Sequence, residues 1–241
     1  MNFGTVEFSL IEKEIDVLLQ KAHFYLQTYR AIDALNQLQE ALRMAENNIV
    51  QSRIKAVIQS DIGHAYFQLG KFDEAMAHFV CSYEIHTDGN DKAALAGIIS
   101  GYYLQEGKRK ESFEYAQKSL ETATIPELQS YPYHIMGAIA LEDKDYLKAI
   151  ELMNKAALLA ENNHCIAELA MIIMDISVIY VKMDRLETAL SEIYRAERYV
   201  KECRNYNLYL RCAIRRAKIL YKMGKNEEAK QLVFELDEHR C

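Results

Sequence analysis

The chain has 241 residues, half of them hydrophobic, with only 9 glycines and 2 prolines. Sheets with short loops need such turn residues at regular intervals, so this composition favours an all-α protein with a sizeable core. The net charge of −6 excludes a general nucleic-acid binder, because phosphate contacts require a basic surface.

The cysteines and the apolar segments indicate a cytoplasmic location. The 5 cysteines are odd in number and form no C-x-x-C pair, which is typical of reduced thiols. The opening residues, MNFGTVEFSLIEKEIDVLL, lack the basic start and apolar block of a signal peptide. The most apolar stretch, residues 165–181, is too short to span a bilayer and contains Glu168 and Asp175. We therefore expect a cytoplasmic protein without a membrane contact.

A helical repeat is visible in residues 61–79, DIGHAYFQLGKFDEAMAHF. Small and aromatic residues mark it at fixed spacings: Gly63, Tyr66, Gly70, Phe72, Ala75 and Phe79. The alanine of its second helix recurs every 37 to 41 residues, as Ala34, Ala75, Ser112, Ala149, Ala189 and Ala229. The aromatic position returns as Tyr25, Tyr66, Tyr103 and Tyr180. Small residues let two helices approach closely, and aromatic residues fill the space against the next pair.

This spacing resembles the tetratricopeptide repeat, a unit of two antiparallel helices that we denote A and B. The resemblance implies an all-α, tetratricopeptide-type superhelical solenoid of about twelve antiparallel helices, in a single domain covering residues 1–241. The interval exceeds the usual ~34 residues, and Gln59 replaces the tryptophan that is typical early in helix A. The six expected hairpins are roughly 9–46, 52–86, 92–123, 130–161, 165–202 and 207–240.

Helix A lines the concave groove in this family, so counting back from each alanine gives the inward-facing residues in chain order. Hairpins two, four, five and six supply polar candidates, whereas hairpin three supplies small residues such as Gly97 and Gly101. The candidate partner-binding residues are Asp61, His64, Gln68, Tyr131, His134, Asp175, Arg211, Arg215, Lys218 and Lys222.

The last four candidates form a basic stripe along one helix face, because their spacings of four, three and four follow the helical period. Such a stripe inside a groove would attract an acidic segment or the terminal carboxylate of a peptide. The alternative is a solvated face that Asp175 partly neutralises.

Metal binding and catalysis are not expected. His23 and His64 occupy equivalent inward positions, with Asp61 one turn before His64. Stacked helices lie about 8–10 Å apart, however, and zinc requires ligands at about 2.0–2.2 Å. The sequence shows no nucleophile–base pair, glycine-rich phosphate loop or paired-carboxylate motif. We therefore expect no metal, no cofactor and no enzymatic activity.

Three functions fit this sequence. The first is a non-catalytic scaffold or adaptor that binds a protein or peptide segment in the groove. The second is the sensor domain of a bacterial peptide-responsive regulator of the quorum-sensing type, possibly part of a longer protein. The stretched repeats and the connector Asn162–Ala167 resemble that family. The third is an assembly protein that forms a homodimer through its sixth hairpin.

Overall fold

The computed structural model describes residues 10–86, 88–203 and 205–238. Within these ranges it contains twelve α-helices and one 3-10 helix, so the all-α, twelve-helix prediction is confirmed. The α-helices are α1 (Leu10–Gln27), α2 (Ala31–Asn47), α3 (Ser52–Gln68), α4 (Phe72–Ile85), α5 (Gly89–Gln105), α6 (Arg109–Thr122), α7 (Ser130–Glu142), α8 (Tyr146–Asn162), α9 (Ile166–Lys182), α10 (Leu186–Cys203), α11 (Tyr206–Lys222) and α12 (Asn226–Glu238). The 3-10 helix, Pro126–Leu128, lies between α6 and α7.

The chain divides into two compact units, residues 1–99 and 100–241, and α5 runs across the boundary. Unit 1 has a core from α1 to α3 that includes Ile15, Leu38 and Ile58. Unit 2 has its main core from α7 to α11, where Met153 and Ile173 are fully buried. In this unit α9 contacts both α7 and α11, which places three A helices side by side. The prediction of a single domain over residues 1–241 stays a prediction.

Close approach of helix A to helix B explains the recurring alanine. All six marker residues are buried, including Ser112, whose hydroxyl donates to the carbonyl oxygen of Ser100 at 2.8 Å. At Gly137 a Cβ atom would lie 2.7 Å from Met153 Cγ and 3.3 Å from the carbonyl oxygen of Ala149. At Gly63 a Cβ atom would lie 2.8 Å from the Phe79 ring. A larger side chain at these positions would therefore separate the two helices.

The turn from helix A to helix B has one conformation in every hairpin. The residue five positions before the marker adopts a positive φ, and these residues are Tyr29, Gly70, Gly107, Lys144, Asp184 and Gly224. The next residue's N–H then bonds to a carbonyl oxygen five residues earlier, as in Lys71 to Tyr66 at 3.0 Å. This closes the helix with a left-handed residue, the position at which glycine is favoured.

The repeated tyrosines support the same turn. A cation just after the turn lies over the tyrosine ring, with Lys71 Nζ 5.7 Å from the centroid of Tyr66. The equivalent pairs are Arg30 over Tyr25, Lys108 over Tyr103 and Arg185 over Tyr180. These cation–π contacts give the aromatic marker a role within its own hairpin, in addition to filling space.

Candidate functional site

In unit 1, two predicted groove residues join the first A helix to the second. Asp61 on α3 is 8% exposed, and its Oδ2 lies 2.7 Å from Nε2 of His23 on α1. The hydrogen bond and the negative charge of Asp61 raise the pKa of His23, against the lowering effect of burial. Gln68 donates from Nε2 to the carbonyl oxygen of Leu26 at 2.9 Å. Both side chains thus hold the A helices together.

His64, the third predicted residue of this unit, packs within its own hairpin. Its ring lies edge-on to Phe79, with 4.9 Å between the ring centroids. Burial lowers the pKa of His64, although the nearby Asp61 opposes this shift. His64 is therefore a packing residue as much as a polar one.

Unit 2 brings three predicted residues together around one carboxylate. Asp175 on α9 accepts from Arg215 Nη1 on α11 at 2.7 Å, through Oδ1. Its other oxygen, Oδ2, lies 2.8 Å from Nε2 of His134 on α7. Burial alone would raise the pKa of Asp175, but the His134 hydrogen bond and the Arg215 charge together lower it. One carboxylate therefore cross-links three A helices.

Tyr131 lies on the same side of α7 and fills the space above a glycine. A Cβ atom at Gly101 would overlap the Tyr131 hydroxyl, so only glycine fits beneath it. The ring contacts His134 edge-on, and burial raises the pKa of the Tyr131 hydroxyl. Tyr131 remains 38% exposed, which leaves part of its ring open for contact. We call the surface formed by Tyr131, His134, Asp175, Arg211 and Arg215 the A-helix face.

The structure divides the basic stripe of α11. Arg215 is paired with Asp175, whereas Arg211 Nη1 contacts only the sulfur of Met171, at 3.7 Å, among the described residues. Lys218 and Lys222 are exposed and line a trough between α11 and α12. Among the side chains that the structure describes, which in α12 end at Phe234, no carboxylate lies within 4.0 Å of the charged nitrogens of Arg211, Lys218 or Lys222. Within the side chains that the structure describes, three of the four cations thus form no ion pair.

Sequence reasoning left several residues at these sites out of the candidate set. Met171 supports Arg211, and Glu168 lies 2.7 Å from the hydroxyl of buried Ser130 beside Tyr131. Val233 and Phe234 on α12 line the trough and are 50% and 65% exposed. Their positions relative to Ala229 match those of Ile193 and Tyr194 relative to Ala189, a comparison that could have identified them.

Two further properties concern the described residues only. No group of three histidine, cysteine, aspartate or glutamate side chains lies close enough there to hold a metal ion. In the same ranges, none of the helices has the length and apolar character needed to cross a membrane.

Comparison with known proteins identifies the repeat and the fold. Residues 58–80 match the family model of the tetratricopeptide repeat. No curated protein matches the chain significantly. The solved structures that resemble it include tetratricopeptide proteins, so the solenoid is of the tetratricopeptide type.

Three of these structures are informative. Aspartyl phosphate phosphatase F from Bacillus subtilis is 13% identical, with a TM-score of 0.71 over 95% of this chain and 71% of its own. The apo form of RapI is 13% identical, with a TM-score of 0.70 over 96% of this chain and 66% of its own. A signal transduction ATPase with numerous domains from Pyrococcus horikoshii, which carries a tetratricopeptide repeat sensor, is 17% identical. Its TM-score is 0.75 over 97% of this chain and 37% of its own.

Proposed function

We propose that this protein is a non-catalytic, cytoplasmic scaffold that binds a protein or peptide segment on the A-helix face of unit 2. The observation that carries this proposal is the exposed guanidinium of Arg211, which has no carboxylate partner among the described residues and lies on the surface that Tyr131 and Asp175 also form. A cation without a partner at such a site is available to a ligand.

The chemistry of this face favours an acidic segment. A guanidinium binds a carboxylate through two parallel hydrogen bonds, and Arg211 retains donors for this because its one described contact is to a thioether sulfur. Met171 offers an apolar contact beside it, and the exposed part of the Tyr131 ring offers another on α7, on the far side of α9. Asp175 does not repel such a ligand strongly, since Arg215 and His134 already occupy both of its oxygens.

A single substitution tests this proposal without disturbing the fold. Arg215→Glu would leave Asp175 facing a second carboxylate, so we choose Arg211→Glu, which breaks no ion pair among the described residues. The probes are two fluorescein-labelled peptide pools of the same length, one containing Asp and Glu and the other Asn and Gln at those positions. We expect the acidic pool to bind more tightly, and Arg211→Glu to weaken its binding by about tenfold, or ~1.4 kcal/mol.

The matched control is Arg198→Glu, which makes the same charge change at an exposed position of α10. It should leave binding of the acidic pool unchanged. Equal binding of the two pools, or equal effects of the two arginine substitutions, would exclude an acidic ligand on this face.

The alternative is a peptide sensor of a bacterial regulator. It is supported by the fold likeness to RapI and to the archaeal ATPase, whose tetratricopeptide region is described as a sensor. A short peptide that raises the melting temperature and reduces the radius of gyration in small-angle X-ray scattering would favour the sensor. Binding of a large protein partner without either change would favour the scaffold.

A further inference from the structure

The last hairpin contains a second candidate surface, the trough between α11 and α12. It has a volume of about 820 Å³. Its apolar lining includes Ala217, Tyr221, Val233 and Phe234, and Tyr221 is 70% exposed. Its remaining lining residues are polar or small: Lys218, Lys222, Asn226, Glu227, Ala229 and Lys230. Exposed aromatic and aliphatic groups at this density are typical of an interaction site.

The corresponding surface of the preceding hairpin is covered by a helix. This helix indicates which shape of ligand the trough would bind. Ile193 on α10 corresponds to Val233 when both are counted from their marker alanines. It is fully buried, and the thiol of Cys212 on α11 lies 3.8 Å from its carbonyl oxygen. Because the repeat reproduces this geometry, the trough has the shape of a groove that packs against an α-helix with an apolar stripe.

The charged residues around the trough indicate which charges should flank the apolar stripe of a helix that binds there. At the preceding junction, α9 and α10 present Asp175 and Glu197, which bind Arg215 and Arg216 of α11 at 2.7 and 2.6 Å. The described residues that line the trough instead include three cations, Lys218, Lys222 and Lys230, and one carboxylate, Glu227. Glu227 is paired with Lys230 at 2.8 Å, whereas Lys218 and Lys222 have no carboxylate partner among the described side chains, which in α12 end at Phe234. The trough therefore complements carboxylates.

A second copy of this chain does not fit that charge. Two troughs facing each other would bring Lys218 and Lys222 of both copies together. The exposed apolar stripe of α1, which contains Leu10, Val17 and Phe24, is bordered by Lys13 and Lys21 as well as Glu14. We propose instead that the trough binds an amphipathic α-helix of another protein, with an aliphatic stripe flanked by aspartate or glutamate.

Two synthetic helices test this proposal. Both are about 18 residues long, so that they are helical enough in solution, and share a leucine and alanine stripe. One is flanked by glutamates and the other by lysines. By fluorescence anisotropy we expect the glutamate helix to bind about tenfold more tightly, and its binding to weaken as salt rises from about 50 to about 500 mM.

Substitutions in the trough locate the binding. Lys218→Glu/Lys222→Glu should reverse the preference, so that the lysine helix binds better. Phe234→Ser should weaken both helices, because it removes exposed apolar surface without opening the core. The control Lys21→Glu/Lys201→Glu makes the same charge change at exposed lysines that do not line the trough, and should have no effect.

Several results would overturn the proposal. These are equal affinity for the two helices, no binding of either, or binding that ignores the trough substitutions in variants with unchanged circular dichroism. A concentration-dependent dimer in sedimentation velocity that Phe234→Ser abolishes would assign the trough to self-association. The test is separate from that of the A-helix face, because Arg211→Glu should leave binding of the glutamate helix unchanged.

Discussion

At the scale of single residues, Asp175 makes the most consequential polar contacts in unit 2. Its side chain is 25% exposed and its partners Arg215 and His134 are 23% and 13% exposed. Removal of the carboxylate charge would leave both partners largely desolvated. An ion pair of equal length, Arg30 Nε to Asp33 Oδ2 at 2.7 Å, lies between side chains that are 52% and 42% exposed.

These two pairs give a matched prediction. Asp175→Asn should reduce the free energy of unfolding by about 1.5–3 kcal/mol, the range for hydrogen bonds to charged groups. Asp33→Asn should reduce it by less than about 1 kcal/mol, because solvent screens an exposed pair. Urea unfolding measures both values, and similar losses in the two variants would contradict a special role for Asp175.

The lowered pKa of Asp175 also fixes the sign of a pH effect. The carboxylate stabilises the folded state fully above its unfolded pKa of about 3.9, and this contribution is lost as the pH falls through the lower folded value. In Asp175→Asn the acid branch of the stability curve should therefore be flatter than in the unsubstituted protein.

At the scale of elements, the turn between helices A and B is the most regular feature. Gly70, Gly107 and Gly224 occupy the left-handed position in three hairpins, and Tyr29, Lys144 and Asp184 occupy it in the others. A residue with a Cβ atom is disfavoured there by about 1–2 kcal/mol, whereas glycine is not.

Lys144→Gly should therefore stabilise the protein by about 0.5–1 kcal/mol. The rest of the backbone strain that it relieves is offset by the greater freedom of glycine in the unfolded chain. Gly107→Ala should destabilise it by about 1 kcal/mol, since a Cβ atom there would meet no atom within 4 Å and only the backbone conformation is affected. Thermal unfolding measures both changes. Lys144→Ala separates the backbone effect from loss of the lysine side chain, and a gain as large as that of Lys144→Gly would refute this explanation.

The turn also shows what the sequence could and could not predict at this scale. The marker alanines predicted the twelve helices because burial at a helix crossing tolerates only small residues. The left-handed positions in hairpins with Tyr29 or Lys144 have no sequence signal, since these residues do not favour that conformation. The break between α6 and α7, in contrast, has a sequence signal: α6 ends at Thr122 before Pro126, and Pro132 lies in the first turn of α7, which begins at Ser130.

The candidate site was predictable by position, whereas its pairing was predictable only in part, as the partial neutralisation of the basic stripe by Asp175. Counting from the alanines places Tyr131, Asp175 and Arg211 on A helices, and the structure has them on α7, α9 and α11. Counting from the alanines does not show that Arg215 reaches Asp175, which is 40 residues earlier in the chain. Such a contact depends on rotamers and helix packing, which no local pattern encodes. For the same reason the sequence treats the four cations of α11 as equivalent.

At the scale of the whole molecule, the histidines of unit 1 have shifted pKa values. His64, His78 and His86 of unit 1 have lowered pKa values, in each case mainly because of burial. His78 Nδ1 also donates a 2.6 Å hydrogen bond to Gln59 Oε1, and the His78 ring stacks on Tyr66, so this side chain is not simply solvated. Among the four histidines of unit 1, all of which the structure describes, the pKa of His23 alone is raised, through its hydrogen bond to Asp61.

These shifts make unit 1 sensitive to mild acid. A histidine with a lowered folded pKa binds fewer protons in the folded state, so stability is lost as the pH falls through the unfolded value of about 6.5. His23 acts in the opposite direction: its contribution is present below about 6.5 and is lost as the pH rises through its folded pKa. Since the His23 side chain is half exposed, we expect the three histidines with lowered pKa values to prevail.

Amide hydrogen exchange, corrected for the intrinsic pH dependence, should therefore show falling protection in α3 and α4 between about pH 7.5 and about 5.5. Protection in α9 and α10 should hold, because Asp175 loses its charge only at lower pH. His64→Gln/His78→Gln should reduce the loss in α3 and α4, since it removes two of the groups that take up protons on unfolding. An equal loss in all four helices, or none, would mean that burial of these histidines does not govern the acid response.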